Sequence, residues 1–454
     1  MNLRGIGIVA PSGYVTDTPA LERAVQWFRA NDIHVVVDEA VYARDMRFAG
    51  SDAERIESLH RMFARDDIDV VMAARGGYGL ARLLDRIDYD LIARSQKIFC
   101  GHSDCTALQM AMLAHHRTPS LAGPTACHDF GPDAATGVSE FTLLHWRAAL
   151  SGNPHRIDVA AAGQPSCNAS GLLWGGNLCT LVHLAGTPYL PPIDGGILFI
   201  EDVYEHPYRV ERMLLQLHYA GVLDAQRAIL LGAFNGYRLL DNDNGYDLES
   251  AIALIRTKTS TPILTGLPFG HIRDKVSLPV GGMATLNSDG SGDGWSLTVT
   301  SPAVPWSRLQ PRLPFAIRNA SWESDGDALR AVRRVVFIDE QAIPEDLEWD
   351  DSDPVSVHAL GVDRDGRPIA TGRLLDDGHI GRIAVVREWR GRGVGAALFE
   401  HLVAAAGERG HRTLFLNAQT QAAEFYARYG FVRAGDEFIE AGIPHIAMER
   451  RSVA

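Results

Sequence analysis

The sequence predicts an α/β protein built from a parallel-sheet lobe, a second α/β lobe and a separate C-terminal α/β domain. Three observations carry this. Short apolar strands alternate with amphipathic helices from Gly5 to Leu113, the pattern of a parallel sheet covered by helices. A second run of apolar strands and helices begins near Gly171. Then Pro302 to Pro314, with four prolines, reads as a stiff linker, after which the pattern restarts. At about 100–200 residues per domain, 454 residues suggest two to four units.

In order, Gly5 to Ala10 reads as a buried strand, Leu21 to Ala30 as an amphipathic helix and Ile33 to Val37 as a second strand. Ser51 to Ala64 is helical, and Asp69 to Ala74 is a strand ending in Arg75-Gly76-Gly77-Tyr78-Gly79. This turn lacks the Lys-Ser/Thr of a P-loop and the G-x-G-x-x-G spacing. It is either a tight turn using glycine's freedom in φ, or a place where a bare N–H approaches a reacting carbonyl. Lys97 to Gly101 is a strand running into Gly101-His102-Ser103-Asp104, and helical spacing follows, with Leu108, Met112 and Leu113 on one face. Ser103 therefore sits on a sharp strand-to-helix turn beside unpaired N–H groups. Two readings follow: an exposed nucleophile with oxyanion donors beside it, or a helix N-cap made by Ser103 or Asp104. The elbow is not G-x-S-x-G, because Cys105 replaces the second glycine.

Gly131-Pro132-Asp133, Ser151 to Pro154 and Ala160 to Pro165 loosen the texture and place a lobe boundary there. Gly171 to Leu178 opens the second lobe, which continues as a helix to Leu184. Gly195 to Asp202 is an apolar strand ending in Glu201 and Asp202, and His206-Pro207 starts a helix to Leu217. Ala228 to Ala233 and Trp295 to Thr300 are further strands, and Asn287 to Gly294 is a polar hairpin turn. His271 lies in a Gly-Pro punctuated loop. In the last domain, Ser321 to Phe337 is helical and strands fall near Val357–Val362, Pro368–Leu374 and Ile380–Val386.

Bulk properties exclude some classes. With 46% hydrophobic and 22% charged residues the chain reads as globular, and a net charge of -13 argues against a general nucleic-acid binder. No apolar run approaches the ~20 residues of a membrane span, and the N-terminal run, broken by glycines and ended by Pro11-Ser12-Gly13, reads as a first strand rather than a leader. The five cysteines include no C-x-x-C pair, so reduced thiols of a cytoplasmic protein fit better than a disulfide frame or a zinc site.

Ser103, Glu201 and His271 are the parts of an acyl-transfer triad: a base takes the serine proton and an acid orients the base. Spacing alone does not bring them together. Residues 1 to about 305, however, resemble the LD-carboxypeptidases, serine peptidases of peptidoglycan recycling. The matching stretches are Arg75 to Gly79, Gly101 to Asp104, Trp174 to Asn177, Glu201-Asp202, Glu205-His206-Pro207 and Gly270-His271. The resemblance implies a two-lobed fold, with a parallel-sheet nucleophile lobe over 1–155 and a β-rich α/β lobe carrying Glu and His over 165–305. It implies Ser103 as nucleophile, Glu201 as orienting acid, His271 as base, and the N–H groups of Gly77 and Asp104 as oxyanion hole. Gly76, Trp174 and Asn177 are expected to line the substrate cleft, and His102 and Asp202 to be structural. Implied too are a cytoplasmic homodimer, removal of the terminal D-Ala from muropeptide tetrapeptides at an L,D bond, and no metal or cofactor. Relatives that cleave peptidyl-nucleotide antibiotics keep the same triad and form the alternative. A muropeptide-sensing module without catalysis is another.

Ile380 to Ala396 reads as a strand, a glycine-rich turn and a helix start, with bare N–H groups suited to a pyrophosphate. It resembles the acetyl-CoA motif of GNAT N-acetyltransferases, R-x-x-G-x-G falling on Arg390 to Gly395. Leu414 to Asn417 and Ala422 to Phe431 resemble the next strand and the closing helix of that fold. The implied unit is a mixed-sheet α/β GNAT domain over 316–454, after a linker at 306–315. Acetyl-CoA is its implied co-substrate, bound by Ile383, Val385, Arg390, Arg392, Gly393, Gly395 and Asn417, with Tyr426 protonating the departing thiolate. Glu340, Glu345 and Asp346 are acidic, and read equally as surface. The chain as a whole thus looks like a fusion of two activities, with no nucleic-acid or membrane partner.

Overall fold

The computed structural model describes residues 3–133, 135–290, 294–301 and 315–451. The expected linker at 306–315 lies outside them up to residue 314. Two compact units are present, one of residues 1–157 and 161–311, the other of 158–160 and 312–454. Both expected lobes fall in the first unit.

The strands of the first unit are β1 (Ile6–Val9), β2 (Val35–Val37), β3 (Val70–Ala73), β4 (Ile98–Gly101), β5 (Ser120–Ala122), β6 (His155–Val159), β7 (Cys167–Asn177), β8 (Ile197–Val203), β9 (Ala228–Asn235), β10 (Ile263–Leu264), β11 (Leu278–Val280), β12 (Met283–Ser288) and β13 (Trp295–Thr300). One six-stranded sheet has the order β11-β5-β4-β3-β1-β2, and a seven-stranded sheet has β10-β9-β8-β7-β12-β13-β6. β1 to β5 run parallel, and β1, β3 and β4 are buried along their whole length, as expected of strands covered on both faces.

Helices α1 (Thr18–Ala30) and α2 (Asp52–Ala64) begin where their caps dictate. Asp17 accepts the Ala20 N–H, which starts α1 at Thr18 rather than at the expected Leu21. Ser51 and Glu54 form a capping box on α2. Further along are α3 (Tyr89–Ser95), α4 (Cys105–His116), α5 (Glu140–Ser151), α6 (Leu178–Leu184), α7 (Pro207–Tyr219) and α8 (Leu248–Lys258).

β11 departs from the expected separation of lobes. It follows the His271 loop, yet pairs antiparallel with β5 at the edge of the first sheet (Leu278↔Ala122, Val280↔Ser120). Three residues later β12 joins the second sheet beside β7. Gly281 and Leu173 tie the turn between them by a backbone hydrogen bond of 2.8 Å.

The second unit has an antiparallel sheet of β14 (Phe315–Ala320), β15 (Val357–Asp363), β16 (Pro368–Leu374) and β17 (Ile380–Val385). A three-stranded sheet combines β18 (Thr413–Gln419), β19 (Val432–Glu440) and β20 (Ile443–Arg451) in the order β18-β20-β19. A parallel bridge, His379↔Phe415, joins the two sheets. Helix α9 (Trp322–Arg333) gives way to a wider π-type turn over Arg334–Glu340, so the helix expected to reach Phe337 changes pitch first. α10 (Glu345–Glu348), α11 (Val394–Glu408) and α12 (Ala423–Ala427) complete the unit. No helix among the described residues is long and apolar enough to cross a membrane.

Candidate active site

Ser103 lies between the end of β4 and the start of α4 with φ +64°, a left-handed conformation that non-glycine residues seldom adopt. Strain at a strand-to-helix turn is what holds a serine hydroxyl clear of its own helix. Neither Ser103 nor Asp104 caps α4 through its side chain, which removes the N-cap reading. The Asp104 carboxylate turns inward instead, accepting from Ser12 Oγ (2.6 Å) and the Leu80 N–H (2.9 Å). Burial raises its pKa, and these donors oppose the rise. That contact ties the Ser103 turn to the Arg75–Gly79 turn.

Gly76 packs directly on Ser103. A Cβ at Gly76 would stand 2.8 Å from Ser103 Cβ and 3.0 Å from its Oγ, so any side chain here would displace the hydroxyl. Gly77 has φ +112°. Among the described residues nothing accepts the Gly77 or Asp104 N–H. We expect Gly76→Ala to fold and to lose at least 100-fold in kcat, with KM little changed, in steady-state kinetics of any reaction that uses the Ser103 hydroxyl.

β8 delivers Glu201, fully buried, and the loop after β10 delivers His271. His271 Nδ1 lies 2.7 Å from Glu201 Oε2, across 70 residues of sequence. Asn177 at the end of β7 donates its amide to Glu201 Oε1 (3.3 Å) and Asp202 Oδ1 (2.9 Å) while its own oxygen caps α6. Burial lifts Asp202 to about 6, against the pull of the Val203 and Cys179 N–H groups.

Trp174 and Asn177, expected to line the cleft, are buried beneath it. Trp174 is 1% exposed, with its indole N–H on Gln226, and the Asn177 side chain is spent on internal partners. Both support the site from behind rather than facing a ligand.

No hydrogen bond links Ser103 Oγ to His271 among the described residues. Proximity comes through His102, whose ring meets that of His271 edge-on at 5.2 Å. His102 is buried, its Nδ1 is 3.0 Å from the Gly123 carbonyl, and burial, with the nearby Lys275 charge, pushes it down to about 3. A buried Lys275–Asp129 ion pair, which the sequence did not signal, anchors the His271 loop on the nucleophile side. Ser139 reinforces it by bonding Asp274, and Thr142 Oγ1 by accepting the Lys275 N–H (3.0 Å).

His102, His145 and His155 are all held below the usual histidine value by burial. In the unfolded chain they bind protons near pH 6.5, so stability is present above that pH and falls as pH drops toward 3. Each contributes a loss on the order of 1 kcal/mol per pH unit from pH 6.5 down to its own folded-state value, about 3 for His102 and about 4 for His155. Urea unfolding midpoints at pH 7.5, 6 and 5 should decline accordingly.

In the second unit a cavity of ≈ 570 Å³ is lined by Phe337, Glu348, Ile383, Asn417 and Tyr426, among others. Burial raises the Tyr426 phenol to about 12, so it carries its proton at neutral pH. Gly393, with φ +79°, precedes α11, whose first turn has no side-chain cap. Of the seven expected ligands, Ile383 and Asn417 line this cavity, and Val385, Arg390, Arg392, Gly393 and Gly395 stand outside its lining. The Val385 carbonyl accepts from Arg390 Nε (2.9 Å), Arg390 pairs with Glu340 (2.7 and 2.8 Å), and Arg392 lies over Trp389. Arg390 thus shapes the turn from behind, leaving the backbone N–H groups at the helix start for an anion. Glu345 pairs with Arg334 at the surface.

Fold and site together define a two-lobed α/β unit with a serine on a strained turn and a Glu-oriented histidine, and a second unit with a cleft lined from β17, β18, β19 and β20. Residues 6–123 match the LD-carboxypeptidase N-terminal domain, 170–286 the LD-carboxypeptidase C-terminal domain, and 336–452 the acetyltransferase (GNAT) domain. Murein tetrapeptide carboxypeptidase of Pseudomonas aeruginosa is 30% identical over 292 residues, 63% of this chain and 93% of that protein. The crystal structure of muramoyltetrapeptide carboxypeptidase from Oxalobacter formigenes is 42% identical, with TM-score 0.61 over 66% of this chain and all of that one (100%). The microcin C7 self immunity protein MccF shares the fold, at 22% identity and TM-score 0.60, over 66% of this chain and 97% of its own. The chain belongs to the LD-carboxypeptidase family of peptidases and carries a GNAT acetyltransferase domain at its C-terminal end.

Proposed function

We propose that the first unit is a serine L,D-carboxypeptidase that removes the terminal D-alanine from muropeptide tetrapeptides, and that the second is an acetyl-CoA-dependent N-acetyltransferase. The observation that carries the peptidase reading is the 2.7 Å contact of His271 with Glu201, together with a serine held at φ +64° one residue after His102, whose ring meets that of His271. Glu201 keeps His271 in the tautomer with its proton on Nδ1, which leaves Nε2 to take the Ser103 proton. The serine oxygen attacks the carbonyl before D-alanine. The resulting oxyanion is received by the N–H groups of Gly77 and Asp104, and His271 returns the proton to the leaving amine. Water then repeats the sequence on the acyl-enzyme.

In the second unit, the N–H groups at the start of α11, from Gly393 to Gly395, would hold the pyrophosphate, with Ile383 and Asn417 along the adjoining strands. Acetyl-CoA supplies the acetyl group when bound. Tyr426 holds a proton inside the cavity for the departing thiolate. The same reading makes the protein a bifunctional cytoplasmic homodimer acting on small molecules.

The test is incubation of the full chain with UDP-MurNAc-tetrapeptide or the free tetrapeptide, with released D-alanine assayed by mass spectrometry. Release by wild type supports the reading. No release moves the weight to peptidyl-nucleotide substrates or to muropeptide sensing.

A further inference from the structure

A carboxypeptidase has to tell a chain end from an internal bond, and the chemical difference is the terminal carboxylate. In a peptide cut before its last residue, the carboxylate carbon lies within about 4 Å of the scissile carbon. Whatever receives it must stand immediately beside the nucleophile.

Arg75 stands there. It directly precedes Gly76, whose β position is 2.8 Å from Ser103 Cβ, and its Nη2 is 3.8 Å from the β position of Gly77. Its guanidinium is incompletely matched. Nη1 donates to the Tyr14 carbonyl (3.0 Å) and contacts Thr16 Oγ1 at 3.4 Å, both neutral oxygens. Nε is buried and has no partner among the described residues. No carboxylate pairs with Arg75 among them either. Arg55 and Arg82 are matched with Asp52, Arg23 with Asp17 and Lys275 with Asp129, while Arg44 and Arg47 lie over the rings of Tyr14 and Tyr78. A guanidinium held partly out of water without an acid partner lacks one anion. Its planar fork suits a carboxylate, which can accept two parallel N–H bonds.

We propose that Arg75 is the specificity-determining residue that binds the C-terminal carboxylate of the substrate. The inference rests on the peptidase reading above. Arg75 holds the leaving residue, so that only a chain end places its last peptide bond over Ser103, while an internal segment leaves the charge unmatched.

The experiment uses the full chain with L-Ala-γ-D-Glu-meso-diaminopimelyl-D-Ala and with the same peptide ending in D-alaninamide. Released D-alanine and D-alaninamide are quantified for wild type, Arg75→Lys and Arg75→Met. Wild type should prefer the acid by about 100-fold in kcat/KM, the scale of lost charge-assisted hydrogen bonds. Arg75→Met should erase that preference by slowing the acid alone, mainly through KM, and Arg75→Lys should restore about a tenth of it. Equal loss on acid and amide in Arg75→Met would mean that Arg75 only holds the Tyr14–Thr16 loop, and would overturn the proposal. Preference for the acid that survives in Arg75→Met would overturn it as well. Wild type that cleaves neither peptide would overturn the peptidase reading itself, and this inference with it.

Discussion

Ser103→Gly should yield a protein that releases no D-alanine and melts above both wild type and Ser103→Ala. The first half follows from the proposed nucleophile: deleting a serine that acts with its base costs about 10⁶-fold in kcat. The second half follows from the backbone. At φ +64° an L-residue carries a steric penalty of roughly 1–2 kcal/mol that glycine does not. Glycine loses roughly 0.4–1 kcal/mol of this through the freer unfolded chain, leaving a small net gain. Ser103→Ala should lose the same activity with no gain in melting temperature, because alanine keeps the strain. Both variants should bind acetyl-CoA as wild type does, since the second unit is untouched. Release of D-alanine at the parent rate by either variant would remove Ser103 from the chemistry. A Ser103→Gly protein melting no higher than Ser103→Ala would show that the turn stores no strain.

Glu201→Gln should lower kcat by about 10⁴-fold and leave KM nearly unchanged. Glu201 is fully buried and accepts from His271 on one oxygen and from Asn177 on the other. A glutamine has one acceptor for two donors. If its oxygen turns to Asn177, its amide faces His271 Nδ1 as a donor, and the proton moves to Nε2, where it blocks abstraction from serine. Steady-state kinetics on the tetrapeptide, beside circular dichroism to confirm the fold, measures this. Less than a tenfold loss would mean that Glu201 is not the residue orienting the base.

The sequence shows the Ser103 turn because a strand, a glycine and a helical repeat lie within a few residues of each other. Periodicity reaches that far. It does not reach the direction of the Asp104 side chain, which leaves the helix to bond Ser12 and Leu80, so the cap interpretation failed. The His271–Glu201 contact spans 70 residues and was expected only by family resemblance. The Lys275–Asp129 pair, 146 residues apart, had no local signal at all. The family resemblance of Trp174 to Asn177 points Trp174 at the cleft, yet its large indole fills the core beside two glycines. Arg390 matched its motif, and only the structure shows its guanidinium committed to Glu340. A three-residue strand with a central proline, Leu278-Pro279-Val280, is too short to announce itself between loops.

That short strand constrains how substrate comes and goes. Because β11 belongs to one sheet and β12, three residues on, to the other, a clamshell motion of the lobes has to pivot at Gly281 and Gly282, where backbone hydrogen bonds with Leu173 (2.8 Å each) hold the turn. The pivot is short and tied, which limits how far the histidine lobe can swing against the serine turn. A chain nicked in a loop such as the one between β9 and α8 would keep its halves laced together, since the histidine arrives on a segment already woven into the serine's sheet.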